Sequence, residues 1–117
     1  INHRRRDDMK LIIAIVQDDD AGDLIDCLTD EGFRVTKLAT TGGFLKAGNT
    51  TLMIGVEEER VDSALGFIEN ICKTRKQVVT SPSPIVGSTG MYVPYPVEVQ
   101  VGGATIFVID VDKFIRF

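Results

Sequence analysis

Residues 34–55 read RVTKLATTGGFLKAGNTTLMIG, and this stretch carries the clearest signals for the fold. Two runs rich in β-branched and apolar residues, 33–40 and 50–56, lie on either side of a segment that contains several glycines. Such runs are typical of strands, and glycines between them allow a tight turn and a close approach of the backbone to a ligand. The stretch therefore predicts two strands joined by a short glycine-rich loop.

The side chains in and beside this loop suit a nucleotide. Phe44 offers a face for a flat ring, and Asn49 offers both a donor and an acceptor for the edge of a base. Arg34 and Thr36, on the preceding strand, can contact phosphate or ribose. A plain hairpin turn with Phe44 packed into the core is the alternative interpretation of the same spacing. The sequence contains neither a dinucleotide-binding fingerprint nor a P-loop.

The neighbouring segments predict one more strand and two helices. Residues 11–16 are all apolar, as in a strand buried on both faces. Apolar residues recur at helical spacing over 21–28, and Gly32 is placed to end that helix. The second helix is predicted to begin at residues 57–59, and its apolar stripe consists of Val61, Ala64, Leu65, Ile68, Ile71 and Cys72.

Two interpretations stay open for the cations Lys73, Arg75 and Lys76 at the end of the second predicted helix. Positive charge there is the usual complement of a helix dipole. Phosphate binding by the same cations is the alternative.

Beyond the second helix the composition changes. Residues 79–96 contain all four prolines, with Ser, Thr and Gly between them, and they predict a long loop. Alternating valines over 97–101 and an apolar run over 104–111, joined by Gly102-Gly103, then predict a C-terminal hairpin. The order β-α-β-β-α-loop-β-β predicts an α+β fold. It would be a ferredoxin-like β-α-β-β-α-β unit with an additional C-terminal hairpin strand and a long loop after the second helix.

Length and charge narrow the class of protein. The 117 residues suffice for one domain, and no apolar run approaches the roughly 18 residues that span a bilayer. Residues 1–8 are interpreted as a non-native or flexible extension before a domain of residues 9–117, because three arginines and two aspartates do not resemble a secretory signal. Without this extension, ten Lys and Arg stand against fifteen Asp and Glu. We therefore expect neither nucleic acid nor a membrane as a partner.

The residues needed for metal or covalent chemistry are scarce. Cys27 and Cys72 fall in the predicted helices, which favours two reduced, buried thiols. The one histidine, His3, lies in the N-terminal extension, so zinc, copper and Cys–His chemistry are disfavoured. Arg34 and Asn49 superficially fit an acylphosphatase, but no general base accompanies them. We therefore expect that the protein is not an enzyme and that it has no catalytic residue, no metal and no cofactor.

Three segments resemble the cyclic di-AMP receptor family, the PII-like signal-transduction proteins of bacteria. They are MKLIIAIVQD at 9–18, KLATTGGFLKAGNTT at 37–51 and GGATIFVIDVD at 102–112. The resemblance extends over essentially all of residues 9–117. It implies a PII-like fold and a cytoplasmic receptor that binds the second messenger cyclic di-AMP, without transforming it, in clefts between the subunits of a homotrimer. It also implies a downstream effector protein, which the sequence does not name.

The resemblance further implies the ligand-binding residues. Arg34 and Thr36 match family positions near ribose and phosphate, and Asn49 matches the residue that hydrogen-bonds the base. Gly55 matches a close backbone contact at the end of the third strand. Arg116 stands near the C-terminus, where the family often has a glutamine, and is not included in the expected site. The loop that encloses an adenine is matched by Gly43, Phe44 and Leu45.

An ordinary PII-type regulator that senses ATP or another adenine nucleotide is the alternative function. Such a regulator works through a long loop between its second and third strands. Here that connection is short, and the long loop is predicted after the second helix, which disfavours the alternative. For the cyclic di-AMP receptor, we expect binding to be relayed by rearrangement of one of these loops.

Overall fold

The computed structural model describes residues 8–38, 48–84 and 92–117, and for residues 80–84 and 92–95 it describes the backbone alone. Two helices and six strands lie within these ranges, which confirms the predicted α+β class. The elements are β1 (Met9–Gln17), α1 (Asp18–Asp30), β2 (Arg34–Leu38), β3 (Asn49–Glu57), α2 (Val61–Cys72), β4 (Arg75–Pro84), β5 (Tyr92–Val101) and β6 (Ala104–Asp110).

Four strands form an antiparallel sheet in the order β2-β3-β1-β6. The continuous apolar sequence of β1 suits its place inside the sheet, where it pairs with a strand on each side. The elements β1, α1, β2, β3, α2 and β6 follow one another in the predicted β-α-β-β-α-β order, with β4 and β5 inserted before β6. This order is compatible with a ferredoxin-like unit.

Both helices pack on one face of the sheet, and the core lies between them and the strands. Three aspartates occupy the first turn of α1, where the helix dipole favours negative charge. The helix ends, as predicted, before Gly32, whose φ of 88° is a left-handed conformation that glycine adopts readily. The fully buried core residues are Ile12, Ala14, Leu24, Leu28, Leu52, Ile54, Ala64, Ile68 and Cys72.

The predictions for the segment after α2 are wrong in two respects. Residues 79–84 and 92–96, predicted as loop, belong to β4 and β5, which pair in a separate two-stranded ribbon. The predicted hairpin of β5 with β6 does not form, because β6 pairs with β1 instead. Prolines are compatible with such a ribbon, because within the described part of the chain each of its strands has one unpaired edge, where a missing N–H costs no hydrogen bond. Residues 85–91 lie outside the described residues.

Contacts at its base attach this ribbon to the helices and the sheet. The Arg75 guanidinium donates to the carboxylate of Asp20 at 2.7 and 3.3 Å, and only 7% of the Asp20 side chain is exposed. The hydrogen bond to Asp20 raises the pKa of Arg75. At the same end of the ribbon, where Arg75 pairs with Val101, the Gly102 N–H donates to Gln17 Oε1 at 2.7 Å. Arg75 therefore begins a strand and holds an ion pair, which disfavours the phosphate-binding interpretation of this cation.

Both cysteines are free thiols, as predicted. Cys72 is buried, and Cys27 is half-buried. Burial, reinforced by the negative charge of Asp20, raises the pKa of the Cys72 thiol to about 11. This thiol therefore stays protonated at neutral pH and is a poor nucleophile.

The described ranges contain neither a cluster of metal ligands nor a membrane-spanning helix. In these ranges no group of three or more His, Cys, Asp or Glu side chains is arranged to hold a metal ion. Neither α1 nor α2 is long and apolar enough to cross a membrane.

Candidate ligand-binding site

Four of the expected ligand residues lie in the described strands, and the pairing register turns all four to the same face of the sheet. Arg34 of β2 pairs with Gly55 of β3. Because side chains alternate along a strand, Thr36 and Asn49 share that side. The alternate residues Val35, Leu52 and Ile54 point the other way and belong to the core or pack against it. The other three expected residues lie outside the described residues and are Gly43, Phe44 and Leu45.

This side of the sheet, the open face, carries apolar side chains that the helices do not cover. Phe107 is 53% exposed and Ile109 is 44% exposed. Contiguous apolar surface of this kind marks an interaction site more often than a solvated surface. The apolar members of the open face include Leu11, Ile13, Ile15, Leu38, Met53, Phe107 and Ile109.

The expected residues are divided between the two ends of the open face. Arg34 and Gly55 lie side by side at one end, and Thr36 lies two residues further along β2, opposite Met53. Asn49 begins β3 at the other end, six residues before Gly55. At about 3.4 Å per residue, Asn49 and Gly55 are roughly 20 Å apart. A single nucleotide unit does not reach from one end to the other.

A pocket of about 270 Å³ lies at the end that holds Arg34, and we name it the arginine pocket. The Arg60 guanidinium forms one wall, stacked 4.0 Å above the ring centre of Phe33 and donating from Nη2 to the Glu31 carbonyl oxygen at 2.8 Å. A methyl group added at Gly55 would meet no atom within 4 Å, so the space in front of this glycine is open. The lining residues are Met9, Gly32, Phe33, Arg34, Gly55, Val56, Glu57, Arg60, Phe114 and Arg116.

The arginine pocket concentrates positive charge in an acidic chain. The formal net charge of the chain is −4, and four arginines follow residue 8. Three of these four line this pocket, beside a single carboxylate, Glu57. Guanidinium groups bind phosphate through paired N–H donors. The pocket is therefore suited to the phosphate part of a ligand.

The Asn49 end of the open face borders a second cavity, of about 510 Å³, between α1 and the ends of β2 and β3. The Asp18 N–H donates to the Gly48 carbonyl oxygen at 2.7 Å, and the Thr50 hydroxyl donates to the Asp18 carboxylate. These bonds hold the beginning of β3 against α1 and thereby fix the position of Asn49. Ile25 and Leu38 provide apolar walls for this cavity, and the side-chain amide of Asn49 lies beside them. Apolar walls with a nearby amide suit the binding of a flat base.

Three residues of the arginine pocket were missing from the site expected from the sequence: Arg60, Arg116 and Phe114. Arg60 lies in a 3₁₀ turn before α2, and Arg116 and Phe114 lie in the segment after β6. No local pattern marks them, because only the packing of these segments against the ends of β2 and β3 brings them together. The departure from glutamine at Arg116 was the one available signal.

Comparison with known proteins assigns the chain to a family. The model of a family described as "Cyclic-di-AMP receptor" matches residues 9–117. The chain belongs to this cyclic di-AMP receptor family. The match confirms the resemblance seen in the sequence and leaves only the first eight residues outside the family model.

Two solved structures are similar to this member of the receptor family. The first is a functionally unknown protein from Pediococcus pentosaceus ATCC 25745, 50% identical, with a TM-score of 0.76 over 95% of this chain and 99% of that chain. The second is a DUF3240 family protein from Shewanella baltica OS155, 11% identical, with a TM-score of 0.56 over 94% of this chain and 97% of that chain. The second likeness shows a shared fold alone.

Proposed function

We propose that this chain is a bacterial signal-transduction receptor, located in the cytoplasm, that binds cyclic di-AMP between the subunits of a homotrimer. The receptor family matches residues 9–117 of the chain. Beyond that match, one structural observation carries the proposal. The four described residues expected to bind ligand share one apolar, uncovered sheet face. A second copy that covers this face would remove apolar surface from water and would bring its own residues to the ligand.

The distance between the two ends of the open face supports a site shared by two chains. Asn49 and Gly55 are roughly 20 Å apart by strand geometry, so one chain presents a base-binding end and a phosphate-binding end separately. Two copies that place Asn49 of one beside Arg34 of the other would complete the site. Arg34 and Thr36 would then bind phosphate and ribose. The ligand would contact the backbone at Gly55, and Asn49 would form hydrogen bonds with the adenine.

The ribbon also favours association. An isolated two-stranded ribbon is marginally stable in water. One side of this ribbon carries four valines, Val79, Val97, Val99 and Val101, beside Gln77 and Arg75. Packing of that side against a neighbouring subunit would stabilise both the ribbon and the trimer. The glycine-rich loop at 39–47 or the ribbon would rearrange on binding, and an effector protein would recognise the change.

Binding without chemical conversion is part of the proposal. The arginine pocket and the cavity beside Asn49, as far as their described linings extend, contain no cysteine or histidine. Their two carboxylates, Glu57 and Asp18, each already have a partner within the chain, and guanidinium, amide and backbone groups bind and orient a nucleotide without supplying a general base at neutral pH. We therefore propose neither a catalytic residue nor a resident cofactor.

Calorimetric titration of the purified protein with cyclic di-AMP tests the proposed function. We expect selective binding near one ligand per chain, with ATP, AMP and cyclic di-GMP much weaker. Asn49→Ala and Phe44→Ala should each weaken binding by roughly 5- to 100-fold, since each removes about 1–3 kcal/mol of interaction with the base. Asn70→Ala, an exposed position on α2, is the matched control and should bind normally.

The same titration separates the proposal from its alternative. Absence of cyclic di-AMP binding would refute the receptor function for this ligand. Preferential binding of ATP would instead support a PII-type regulator that senses an adenine nucleotide, for which the arginine pocket is also suited.

A further inference from the structure

We propose that residues 17–20, which we name the junction, couple the beginning of β3 to the base of the ribbon, so that a ligand bound at Asn49 restrains the ribbon. The junction consists of the last residue of β1 and the first three residues of α1. This inference rests on the proposed function, because Asn49 lies at the base-binding end of the proposed site.

The junction is bonded to the beginning of β3. Gln17 pairs with Asn49 in the register of β1 and β3. The Asp18 N–H donates to the Gly48 carbonyl oxygen at 2.7 Å, and the Thr50 hydroxyl donates to the Asp18 carboxylate. Asn49 therefore lies between two residues that are both bonded to Asp18. A ligand that immobilises Asn49 would also restrain the first turn of α1.

The junction is also bonded to both strands of the ribbon. Gln17 Oε1 accepts from the Gly102 N–H at 2.7 Å, directly after β5. The Asp20 carboxylate accepts from Arg75, the first residue of β4, at 2.7 and 3.3 Å. Because Arg75 pairs with Val101, these bonds act together at the base of the ribbon. Four consecutive residues thus contact two elements that are distant in the sequence.

The ion pair between Asp20 and Arg75 gives the base of the ribbon two distinct states. Only 7% of the Asp20 side chain is exposed, whereas 40% of the Arg75 side chain is. Within the described ranges, Arg75 is the only cation that forms an ion pair with Asp20. A buried carboxylate that loses its counter-ion is strongly destabilised, so the pair is either formed or the ribbon base moves and admits water. A relay between sites requires such a two-state element.

Other bonds keep the ribbon connected to the fold in both states. Arg75 also donates to the Ile71 and Lys73 carbonyl oxygens at 3.3 and 3.2 Å, and the Gly103 N–H donates to the Cys72 carbonyl oxygen. None of these bonds involves the junction. Loss of the junction contacts would therefore change the mobility of the ribbon base without unfolding the core. A ligand that orders the junction would shift the ribbon toward the state in which the ion pair is formed.

Two neighbouring threonines test the coupling without any ligand. Thr50 and Thr51 are both buried, 7% and 8% exposed, but among the described contacts only Thr50 donates to the junction. In Thr50→Val, we expect hydrogen exchange of residues 75–79 and 97–101 to become roughly 2- to 10-fold faster, as for the loss of one hydrogen bond. Thr51→Val is the matched control and should leave ribbon exchange unchanged.

A second measurement adds cyclic di-AMP at saturating concentration. In the wild type and in the exposed control Asp19→Asn, we expect the ligand to slow exchange of residues 75–79 by roughly fivefold or more, the lower end of typical couplings between sites. In Asp20→Asn the ligand should still slow exchange at the beginning of β3. Exchange of the ribbon should then change by less than about twofold, because the contact that carries the effect is absent.

The outcomes separate the coupling from the proposed function. Equal ribbon exchange in Thr50→Val and Thr51→Val would overturn the coupling, whether or not cyclic di-AMP binds. Equal slowing of ribbon exchange by the ligand in Asp20→Asn and in the wild type would overturn it as well. A wild type that does not bind cyclic di-AMP would refute the receptor function, and the two threonine variants alone would then decide the coupling.

Discussion

Gly55 and Gly102 are surrounded in different ways. Gly55 faces the open arginine pocket beside Arg34, and an added methyl group there would touch no atom within 4 Å. Gly102 has a φ of 85°, and an added methyl group would lie 2.5 Å from the Lys73 carbonyl oxygen. Gly55 is therefore free to change as far as the fold is concerned, and Gly102 is not.

Alanine substitution at these two glycines separates ligand binding from stability. Gly55→Ala should raise the free energy of unfolding by about 0.5 kcal/mol, because alanine restricts the unfolded chain, yet weaken cyclic di-AMP binding by filling the ligand's space. Gly102→Ala should lower the free energy of unfolding by roughly 1–3 kcal/mol, because its backbone conformation is strained for alanine. Chemical denaturation and calorimetry measure the two effects. Normal ligand binding by Gly55→Ala would show that the ligand does not approach this backbone.

The first turn of α1 connects three other elements through neighbouring side chains. Asp18 bonds to the beginning of β3, Asp20 pairs with Arg75 at the base of the ribbon, and the preceding residue, Gln17, accepts from Gly102 at the same base. We expect Asp20→Asn to loosen the ribbon, since it removes the charge that holds Arg75. Hydrogen exchange of residues 75–79 should become faster while exchange in β1 is unchanged. The exposed neighbour variant Asp19→Asn is the control, and equal exchange in both variants would contradict a role for the ion pair.

Within the described residues, the molecule leaves an apolar sheet face and a valine-bearing ribbon side uncovered, and we expect both to be buried in a trimer. Light scattering should give a mass three times the 12.8 kDa of one chain. Phe107→Asp, which places a charge at a 53% exposed position of the open face, should dissociate the trimer and abolish cyclic di-AMP binding. Ser63→Asp, on the exposed side of α2, should do neither. A monomeric wild type that binds cyclic di-AMP with full affinity would refute the shared site.

The sequence by itself determined the local elements and the chemistry that they carry. The apolar run of β1, the helical spacing of α1 and α2, and the strands on either side of the glycine-rich loop all depend on neighbours within a few residues, so their patterns are readable. Arg34, Thr36 and Asn49 were identified from their chemistry and the family resemblance, and Gly55 from the resemblance alone. The register shows in addition that they share one face of the sheet, and their contact with a ligand stays a prediction.

Only the tertiary structure decided which distant segments meet. Strand β5 pairs with β4 and β6 pairs with β1, although the Gly102-Gly103 turn favoured a hairpin between β5 and β6. Arg60 and Arg116 join Arg34 in one pocket from positions far apart in the chain. Strand pairing and pocket formation depend on which apolar surfaces are buried together across the whole fold. That choice is a property of long-range packing, which no short stretch of sequence records.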